Sequence, residues 1–262
     1  MTKKTRRKTK ASGKGVARKS TAVKARRTDE ELSELLTRLT AAVPSPQCEL
    51  DHRNAWQLLM ATILAAQSTD KMINTVTPEL FRRWPTPADL AAAPREDVEK
   101  AVFRTGFFRN KAKAIQNCSQ ALVDHHGGEV PRTIEEMVKL PGVARKTANV
   151  VLGVAYGIPS GIVVDTHVKR VARLLGMTDS DRPEQIERDL QEQLPEQLWI
   201  EGGHRILLHG RYLCLAKKPD CPRCPINELC SARQAEPEGS WQDRAAHEAS
   251  LFVYRPGGGE GS

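Results

Sequence analysis

The chain has 262 residues, of which 39% are hydrophobic and only 5% are aromatic, and it carries 40 Lys and Arg against 32 Asp and Glu. This length is sufficient for one or two domains with a sizeable core. No stretch approaches the roughly 18 apolar residues of a membrane span, and no signal-peptide hydrophobic region opens the chain, so we expect neither a membrane protein nor a secreted one.

The positive charge is concentrated at the N-terminus. Residues 1–27 hold 12 Lys and Arg and no Asp or Glu, which leaves 28 basic against 32 acidic residues, a net charge of −4, in the rest of the chain. Because this tail has almost no large apolar residue to bury, we expect it to be disordered. Lys and Arg near phosphates release condensed counterions, so the tail is predicted to be a nucleic-acid-binding arm. A solubilising tail or an organelle transit peptide is the alternative.

The first predicted helix begins after Thr28. Thr28 and Glu31 have the spacing of a capping box, and four leucines follow at helical spacing until Pro44 stops the run. These leucines are Leu32, Leu35, Leu36 and Leu39. The pattern predicts an amphipathic helix with one apolar face.

Further amphipathic segments follow along the chain, and strand-like alternation is nearly absent. The apolar run 162–164 fits a buried connector better than a strand, and the polar residues after Cys230 are expected to be frayed. We therefore predict an all-α body. The predicted helices lie at about 54–64, 70–83, 95–103, 110–125, 133–140, 146–157, 166–175, 184–193 and 203–214.

The segment Leu140–Ala148 reads Leu-Pro-Gly-Val-Ala-Arg-Lys-Thr-Ala and lies between two predicted helices. Pro141 and Gly142 break the first helix, and the second begins at about Lys146. The turn therefore directs free backbone N–H groups and the positive end of a helix dipole at solvent, which is a phosphate-binding geometry. Such a hairpin holds DNA without reading its sequence.

Lys146 and Asp165 are candidate catalytic residues. A lysine amine near a helix N-terminus and Arg145 has its charged form disfavoured, which favours a nucleophile. Asp165 directly follows an apolar run and can also be the N-cap of a helix from about Thr166. Capping and catalysis are compatible, since the cap faces the mouth of a helix. Alone, a Lys and an Asp at this separation are weak evidence for catalysis.

Four of the six cysteines lie within 17 residues, in the pattern C-x6-C-x2-C-x5-C. They predict one tetradentate site, for which spacing alone favours structural zinc and an iron–sulfur cluster about equally. Disulfides are disfavoured because there is no export signal. The isolated Cys48 and Cys118 are interpreted as small hydrophobes. The four clustered residues are Cys214, Cys221, Cys224 and Cys230.

Basic side chains accompany the four cysteines. Lys217 and Lys218 lie between the first two cysteines, and Arg223 lies between the middle pair. A metal site that presents basic residues on a stiff loop suits phosphate binding.

The hairpin, the Val-Asp-Thr-His that follows it and the four-cysteine loop together resemble endonuclease III. That family is the iron–sulfur, helix-hairpin-helix class of bifunctional DNA glycosylases and abasic-site lyases. The resemblance covers about Thr28 to Ser231 and neither tail. It implies a fold of two all-α lobes. We expect a helical barrel with the hairpin over 48–158, an iron–sulfur domain from 28–47 and 159–233, and a C-terminal tail over 234–262.

The resemblance implies roles for single residues. Lys146 matches the family's lysine that attacks C1′ of a flipped nucleotide, expels the base and forms a Schiff base. Asp165 matches the aspartate that activates this lysine and stabilises positive charge on the sugar. The four cysteines match the ligands of a [4Fe–4S] cluster, which favours iron over zinc. Gln67 matches the glutamine that enters the gap left by the flipped base.

The sequence departs from the family pattern at two positions. Ala144 replaces the second glycine of a Gly-Val-Gly hairpin, so either the turn stays in an allowed region or the approach of phosphate is altered. Phe107 stands where the family wedges an aliphatic residue into the duplex, and an aromatic wedge can stack on bases as well as fill space. In the alternative interpretation, Phe107 and Phe108 are core residues; two adjacent residues on a helix cannot share a face, so the wedge is one of the two.

The expected function is removal of oxidised pyrimidines in base excision repair, followed by β-elimination at the abasic site. We expect double-stranded DNA with damaged pyrimidines or abasic sites as the partner, no membrane association and a monomer. The predicted location is the bacterial cytoplasm at the nucleoid, or the nucleus or mitochondrion in a eukaryote. DNA contacts are predicted for Gln67, Phe107, Gly142, Val143, Ala144, Arg145, Lys217, Lys218 and Arg223.

Two other functions remain open. A monofunctional iron–sulfur glycosylase of the adenine-mispair type lacks a nucleophilic lysine and carries a glutamate before its glutamine. Here Lys146 is present and the segment from Met60 to Gln67 has no Glu. A non-catalytic DNA-binding iron–sulfur protein would bind duplexes without releasing bases or nicking abasic sites.

Overall fold

A computed structural model gives the fold and describes residues 27–252. The predictions for the basic tail therefore lie outside the described residues, apart from Arg27, and so does the end of the C-terminal tail. Within residues 27–252, no helix is both long and apolar enough to cross a membrane.

The described residues form twelve α-helices and three short 3₁₀ turns and contain no β-strand, which confirms the all-α prediction. The run 162–164 is an irregular connector, as predicted, with Ile162 and Val164 buried. The helices are α1 Asp29–Ala42, α2 Ala55–Leu64, α3 Asp70–Arg83, α4 Pro87–Ala92, α5 Arg95–Val102, α6 Phe108–His126, α7 Ile134–Met137, α8 Arg145–Tyr156, α9 Thr166–Leu174, α10 Pro183–Gln191, α11 Trp199–Tyr212 and α12 Trp241–Leu251.

The helix starts follow local sequence signals. The capping box predicted for α1 is present: Thr28 Oγ1 accepts from Glu31 N at 3.2 Å, and the Glu31 carboxylate accepts from Thr28 N at 3.2 Å. Thr69 caps α3 by accepting from Met72 N at 3.2 Å. This cap fixes where α3 begins, three residues after Gln67. The short helix α4, which has its own capping box, was not predicted.

Apolar side chains gather in two separate cores. The first core is built mainly from helices α2 to α8 and contains the fully buried Leu59 and Ile115. The second is built from α1, α9, α10, α11 and the cysteine loop and contains the fully buried Leu35 and Leu190. The hairpin between α7 and α8 belongs to the first core and the start of α9 to the second, so the segment 157–165 connects them. The bounds of the two predicted lobes stay a prediction.

The residues after Cys230 are not frayed throughout, because α12 forms there. Its N-terminus has a capping box between Ser240 and Asp243, and the helix packs against α1. Arg244 is buried and its Nε donates to Cys224 O at 2.8 Å. Glu248 is fully buried and accepts from His209 Nδ1 at 2.8 Å. The prediction was wrong here because these polar side chains, which suggested a solvated tail, point into the protein.

Candidate active site and DNA interface

The hairpin turn depends on Gly142. This residue has a φ of +79°, a left-handed conformation that favours glycine. A Cβ at this position would lie 3.1 Å from Ala114 Cβ, so the turn packs closely against α6. The N–H of Val143 then closes the turn by donating to Leu140 O at 3.1 Å. The hairpin is thus fixed against the first core.

The helix N-terminus after the turn is open to solvent. Ala144 is the N-cap residue of α8, with φ −87° and ψ 165°, an extended conformation that alanine adopts without strain. The departure from a second glycine is therefore accommodated in an allowed region. No side chain caps α8, so its first N–H groups and the positive end of its dipole face solvent, the phosphate-binding geometry predicted from the sequence.

The four hairpin residues predicted to contact DNA differ in exposure. Gly142, Ala144 and Arg145 are exposed, whereas the side chain of Val143 is buried in the first core. The predicted contact of Val143 with DNA is therefore confined to its main chain. Lys146 is exposed in the first turn of α8, beside the open N–H groups.

Asp165 is the N-cap of α9. Its Oδ1 accepts from His167 N and from Val168 N, each at 2.8 Å. Both bonds use the same oxygen, so Oδ2 is not engaged by the cap. The side chain is half-buried at the end of the connector between the two cores. The N-cap is present as the sequence predicted, and it leaves one carboxylate oxygen free of the cap.

A buried carboxylate links the start of α8 to the connector. Glu187 on α10 is 7% exposed; it accepts from Asn149 Nδ2 at 2.9 Å and from Arg145 Nε at 3.2 Å. Asn149 Oδ1 in turn accepts from Ser160 Oγ at 3.0 Å. The network packs directly against the backbone of Gly161, the next residue, because a Cβ there would lie 2.1 Å from Glu187 Oε1.

This network has a consequence for the two candidate catalytic residues. It fixes the first turns of α8, which carry Lys146, to the chain segment that leads to Asp165 four residues after Gly161. The side chain of Arg145, predicted to bind DNA, is about half exposed while it pairs with Glu187. Arg145 is therefore also one of the residues that pair with the buried Glu187.

Gln67 and Phe107 are exposed and share an unusual backbone. They are the two non-glycine residues with positive φ in the described part of the chain, at 55° and 46°. Phe107 immediately precedes α6 and is 67% exposed, while Phe108 is partly buried with its ring 4.9 Å from that of Phe103. Of the two adjacent phenylalanines, Phe107 is the one that faces solvent, and the interpretation of Phe107 as a core residue is wrong.

The main chain of the four-cysteine loop is held by arginine side chains. Arg170 Nη2 donates to Cys214 O at 2.9 Å, and Arg244 Nε donates to Cys224 O at 2.8 Å. These bonds reach the loop from α9 and from α12. The loop is thus fixed by the second core and by the C-terminal helix.

The cysteine loop carries four free thiols. Burial raises the pKa of the Cys230 thiol, and the nearby thiols of Cys214, Cys221 and Cys224 raise it further. Within residues 27–252, no three His, Cys, Asp or Glu side chains converge closely enough for a single metal ion. Four soft sulfur donors on one loop fit the ligand set of an iron–sulfur cluster.

The chain is similar to a known family of DNA repair proteins. Residues 60–196 match the HhH-GPD superfamily of base excision DNA repair proteins. The chain is also 47% identical over 206 residues to endonuclease III of Synechocystis sp., covering 79% of this chain and 94% of that protein. The chain belongs to the endonuclease III family. Endonuclease III of Escherichia coli K12 is 38% identical over 201 residues, covering 77% of this chain and 95% of that protein.

Solved structures agree with this assignment to the endonuclease III family. A trapped endonuclease III–DNA covalent intermediate matches with a TM-score of 0.75 and 42% identity, covering 79% of this chain and 98% of that one. A thermostable thymine-DNA glycosylase matches with a TM-score of 0.70 at 19% identity, which shows the shared fold alone. As a family member, the chain is a base excision repair enzyme, a DNA glycosylase and abasic-site lyase.

The basic residues of the cysteine loop are on the surface of this endonuclease III family member. Lys217, Lys218 and Arg223 are exposed, as phosphate contacts require. Arg223 Nη2 also lies 2.8 Å from the Asp220 carboxylate, an ion pair across the loop. Arg223 therefore has an intramolecular partner with which a phosphate would compete, whereas the two lysines have no such partner in the described contacts.

Sequence reasoning missed Glu187 and Asn149. One signal was available for Glu187: it precedes Leu190 by three residues, so it lies on the apolar face of α10. A carboxylate on such a face needs a buried partner. No comparable signal marked Asn149, whose partners come from α10 and from the connector.

Proposed function

We propose that this enzyme removes oxidised or saturated pyrimidines from double-stranded DNA and then cleaves the strand at the abasic site by β-elimination. The observation that carries the proposal is the exposed Lys146 in the uncapped first turn of α8, next to a phosphate-binding turn. The relatives and the trapped covalent DNA intermediate of a 42% identical structure support this chemistry.

In the proposed reaction, the neutral amine of Lys146 attacks C1′ of an extruded nucleotide. The bond between C1′ and the base breaks, and the base leaves with the bonding electrons and takes a proton from water. Asp165 accepts a proton from the attacking amine and stabilises the positive charge that develops on the sugar. Opening of the sugar ring, in which protonated Asp165 returns its proton to the ring oxygen, gives a Schiff base. The Schiff base withdraws electrons, so that water takes a proton from C2′ and the 3′ phosphate is expelled. Water then hydrolyses the Schiff base and frees Lys146.

The proposed DNA interface has two kinds of contact. The open N–H groups of α8 and the side chains of Lys217, Lys218 and Arg223 bind phosphates, which positions the duplex without reading its sequence. Gln67 and Phe107 enter the duplex, Gln67 in the gap left by the extruded base and Phe107 as an aromatic wedge. Extruding a base costs least where damage already weakens stacking, which contributes to lesion selectivity.

We also propose that the four-cysteine loop holds a [4Fe–4S] cluster. The donor set supports it, because four cysteine thiols on one loop are the soft sulfur ligands that an iron–sulfur cluster takes. When bound, such a cluster supplies four covalent links that fix the loop and hold Lys217, Lys218 and Arg223 outward. An iron assay and the visible charge-transfer absorbance test this.

The enzyme is expected to act in the bacterial cytoplasm, since the relatives compared above are bacterial.

Borohydride trapping tests the lysine chemistry. An oligonucleotide with one thymine glycol is incubated with the holoenzyme and sodium borohydride, which reduces a Schiff base to a stable covalent adduct. We expect an adduct with the wild type and with Lys139→Ala, an exposed lysine just before the hairpin that serves as the matched control. Lys146→Ala is expected to give none. An adduct with Lys146→Ala contradicts the assignment, and no adduct with the wild type contradicts the proposed function.

A further inference from the structure

Gln67 and Phe107 hold a backbone conformation that costs free energy. Left-handed φ values in residues with a Cβ persist only where surrounding contacts enforce them. The two residues lie on different loops, one after α2 and one before α6. Both are exposed, so packing of their own side chains does not enforce the conformation. The contacts that do so must lie beside them.

These contacts converge on Lys111. Its Nζ donates to Ser68 Oγ at 2.7 Å and to Thr105 O at 2.6 Å. Ser68 directly follows Gln67, and Thr105 precedes Phe107 by two residues. Ser68 Oγ also donates to Thr105 O, so the two loops are hydrogen-bonded to each other as well as to the ammonium.

Lys111 is also hydrogen-bonded directly to Phe107, the proposed wedge. Its main-chain N–H donates to Phe107 O at 3.1 Å, which starts α6. The side chain of Lys111 thus holds the loop of Gln67, while its main chain holds Phe107. Lys111 therefore connects the two residues proposed to insert into DNA, Gln67 and Phe107.

The ammonium of Lys111 is an unusual buried charge. The residue is 5% exposed, and burial lowers the pKa of this lysine. Its two acceptors, a hydroxyl and a carbonyl, are neutral. Burying an ammonium with neutral partners and no counter-charge costs free energy, and such costs are found at functional positions. A neutral residue would fill the same space at a lower cost.

We propose that Lys111 is a positioning residue that holds Gln67 and Phe107 in one fixed arrangement, so that they enter a damaged duplex as a unit. This inference rests on the proposed function, because it takes both residues to insert into DNA. Lys111 itself touches neither the base nor the sugar. Its removal is expected to weaken the recognition of damage while leaving phosphate contacts and the chemistry of Lys146 in place.

The test compares Lys111→Met with Lys113→Met in the holoenzyme. Lys113 is exposed two residues farther along α6, so its replacement removes the same charge from the same helix without touching the loops. Affinity is measured for a duplex with one tetrahydrofuran abasic-site analogue and for the same duplex undamaged. Lys111→Met is expected to reduce the preference for the damaged duplex about tenfold, the scale expected for loss of one hydrogen bond to a charged group. Affinity for undamaged DNA stays within about twofold, because the phosphate contacts remain.

Two further measurements separate positioning from loss of structure. A 2-aminopurine opposite the analogue becomes brighter when Gln67 and Phe107 unstack its neighbours, and we expect this increase to be lost in Lys111→Met and kept in Lys113→Met. Borohydride trapping on a single-stranded abasic oligonucleotide needs no insertion, so Lys111→Met is expected to trap as fast as the wild type. If Lys111→Met does not fold, Ser68→Ala removes one of the two acceptors and is expected to give the same loss to a smaller degree.

The outcomes distinguish this inference from the proposed function. If the wild type traps DNA but Lys111→Met, or Ser68→Ala in its place, keeps the full preference and the full fluorescence increase, Lys111 is only a structural residue and the inference is overturned. If affinity for damaged and undamaged duplexes falls equally, the inference is also overturned. If the wild type traps no abasic DNA at all, it is the proposed function that fails.

Discussion

The network around Glu187 makes a strong prediction for Gly161→Ala. A Cβ added at this position would lie 2.1 Å from Glu187 Oε1 and 2.5 Å from Asn149 Nδ2, far inside van der Waals contact. The carboxylate would have to retreat by about 1 Å. That movement breaks the bond of 2.9 Å between Asn149 and Glu187 and weakens the pairing with Arg145.

The expected loss of stability can be estimated from these contacts. Overpacking a buried site costs about 1–3 kcal/mol, and loss of a buried hydrogen bond to a charged group costs about 1.5–3 kcal/mol. The lower entropy of an unfolded chain with alanine offsets about 0.4–1 kcal/mol. We therefore expect Gly161→Ala to destabilise the protein by about 3 kcal/mol. For a protein of this size, that corresponds to a fall in melting temperature of roughly 6–12 °C.

The matched control is Gly202→Ala in α11. A Cβ there would lie 3.6 Å from Leu194 Cδ1, an ordinary contact, and alanine is favoured over glycine within a helix by about 0.5–1 kcal/mol. Thermal denaturation followed by circular dichroism compares the two variants with the wild type. If Gly161→Ala melts at the wild-type temperature, the network is not as close as the structure indicates.

A double mutant tests the cause of the effect. Glu187→Ala removes the carboxylate that the new methyl group contacts, so Gly161→Ala is expected to cost much less in that background. A double-mutant cycle should give a coupling of about 1–3 kcal/mol between the two positions. Additive effects would show that the methyl group acts through another contact.

Two further predictions concern the start of α9 and a partly buried histidine. Asp165→Asn keeps a cap oxygen for α9, so duplex affinity and melting temperature should hardly change. Single-turnover base release is expected to slow at least about a hundredfold. Unchanged turnover would show that Asp165 is a helix cap only. Burial lowers the pKa of His204 from 6.5 to about 4, so the unfolded chain takes up a proton at this histidine before the folded protein does. The free energy of unfolding is therefore unaffected by this group above pH 6.5, and it falls by up to about 3 kcal/mol as the pH is lowered towards 4. Denaturant unfolding at several pH values should therefore show a smaller acid loss in His204→Gln, and an equal loss in both proteins would contradict this.

Much of the fold was predictable because its signals are local. The capping box of Thr28 and Glu31 is fixed within one turn of helix, and Pro141 with Gly142 specifies a turn by their own backbone preferences. The apolar periodicity of the helices needs no knowledge of their partners. Such features depend on residues three or four positions apart, which is the range a sequence pattern can report.

Residues whose environment is set by distant parts of the chain were not predictable in the same way. Arg244 and Glu248 gave the C-terminal segment a polar composition, which suggested a frayed tail. Their partners are Cys224, 20 residues away, and His209, 39 residues away. A polar side chain in the sequence does not say whether water or a distant group satisfies it, and only the fold decides this.

The candidate site shows the same limit at its two most exposed residues. Glycines signal turns in a sequence, but Gln67 and Phe107 adopt a left-handed backbone without being glycine. Each costs about 1–2 kcal/mol relative to ordinary backbone conformations, so local preferences predict the wrong conformation at both. What stabilises them is a buried ammonium 43 residues from Ser68 in the sequence. Sequence reasoning therefore fails at the residues where strain is held by tertiary contacts, and those are the residues that this enzyme is proposed to insert into DNA.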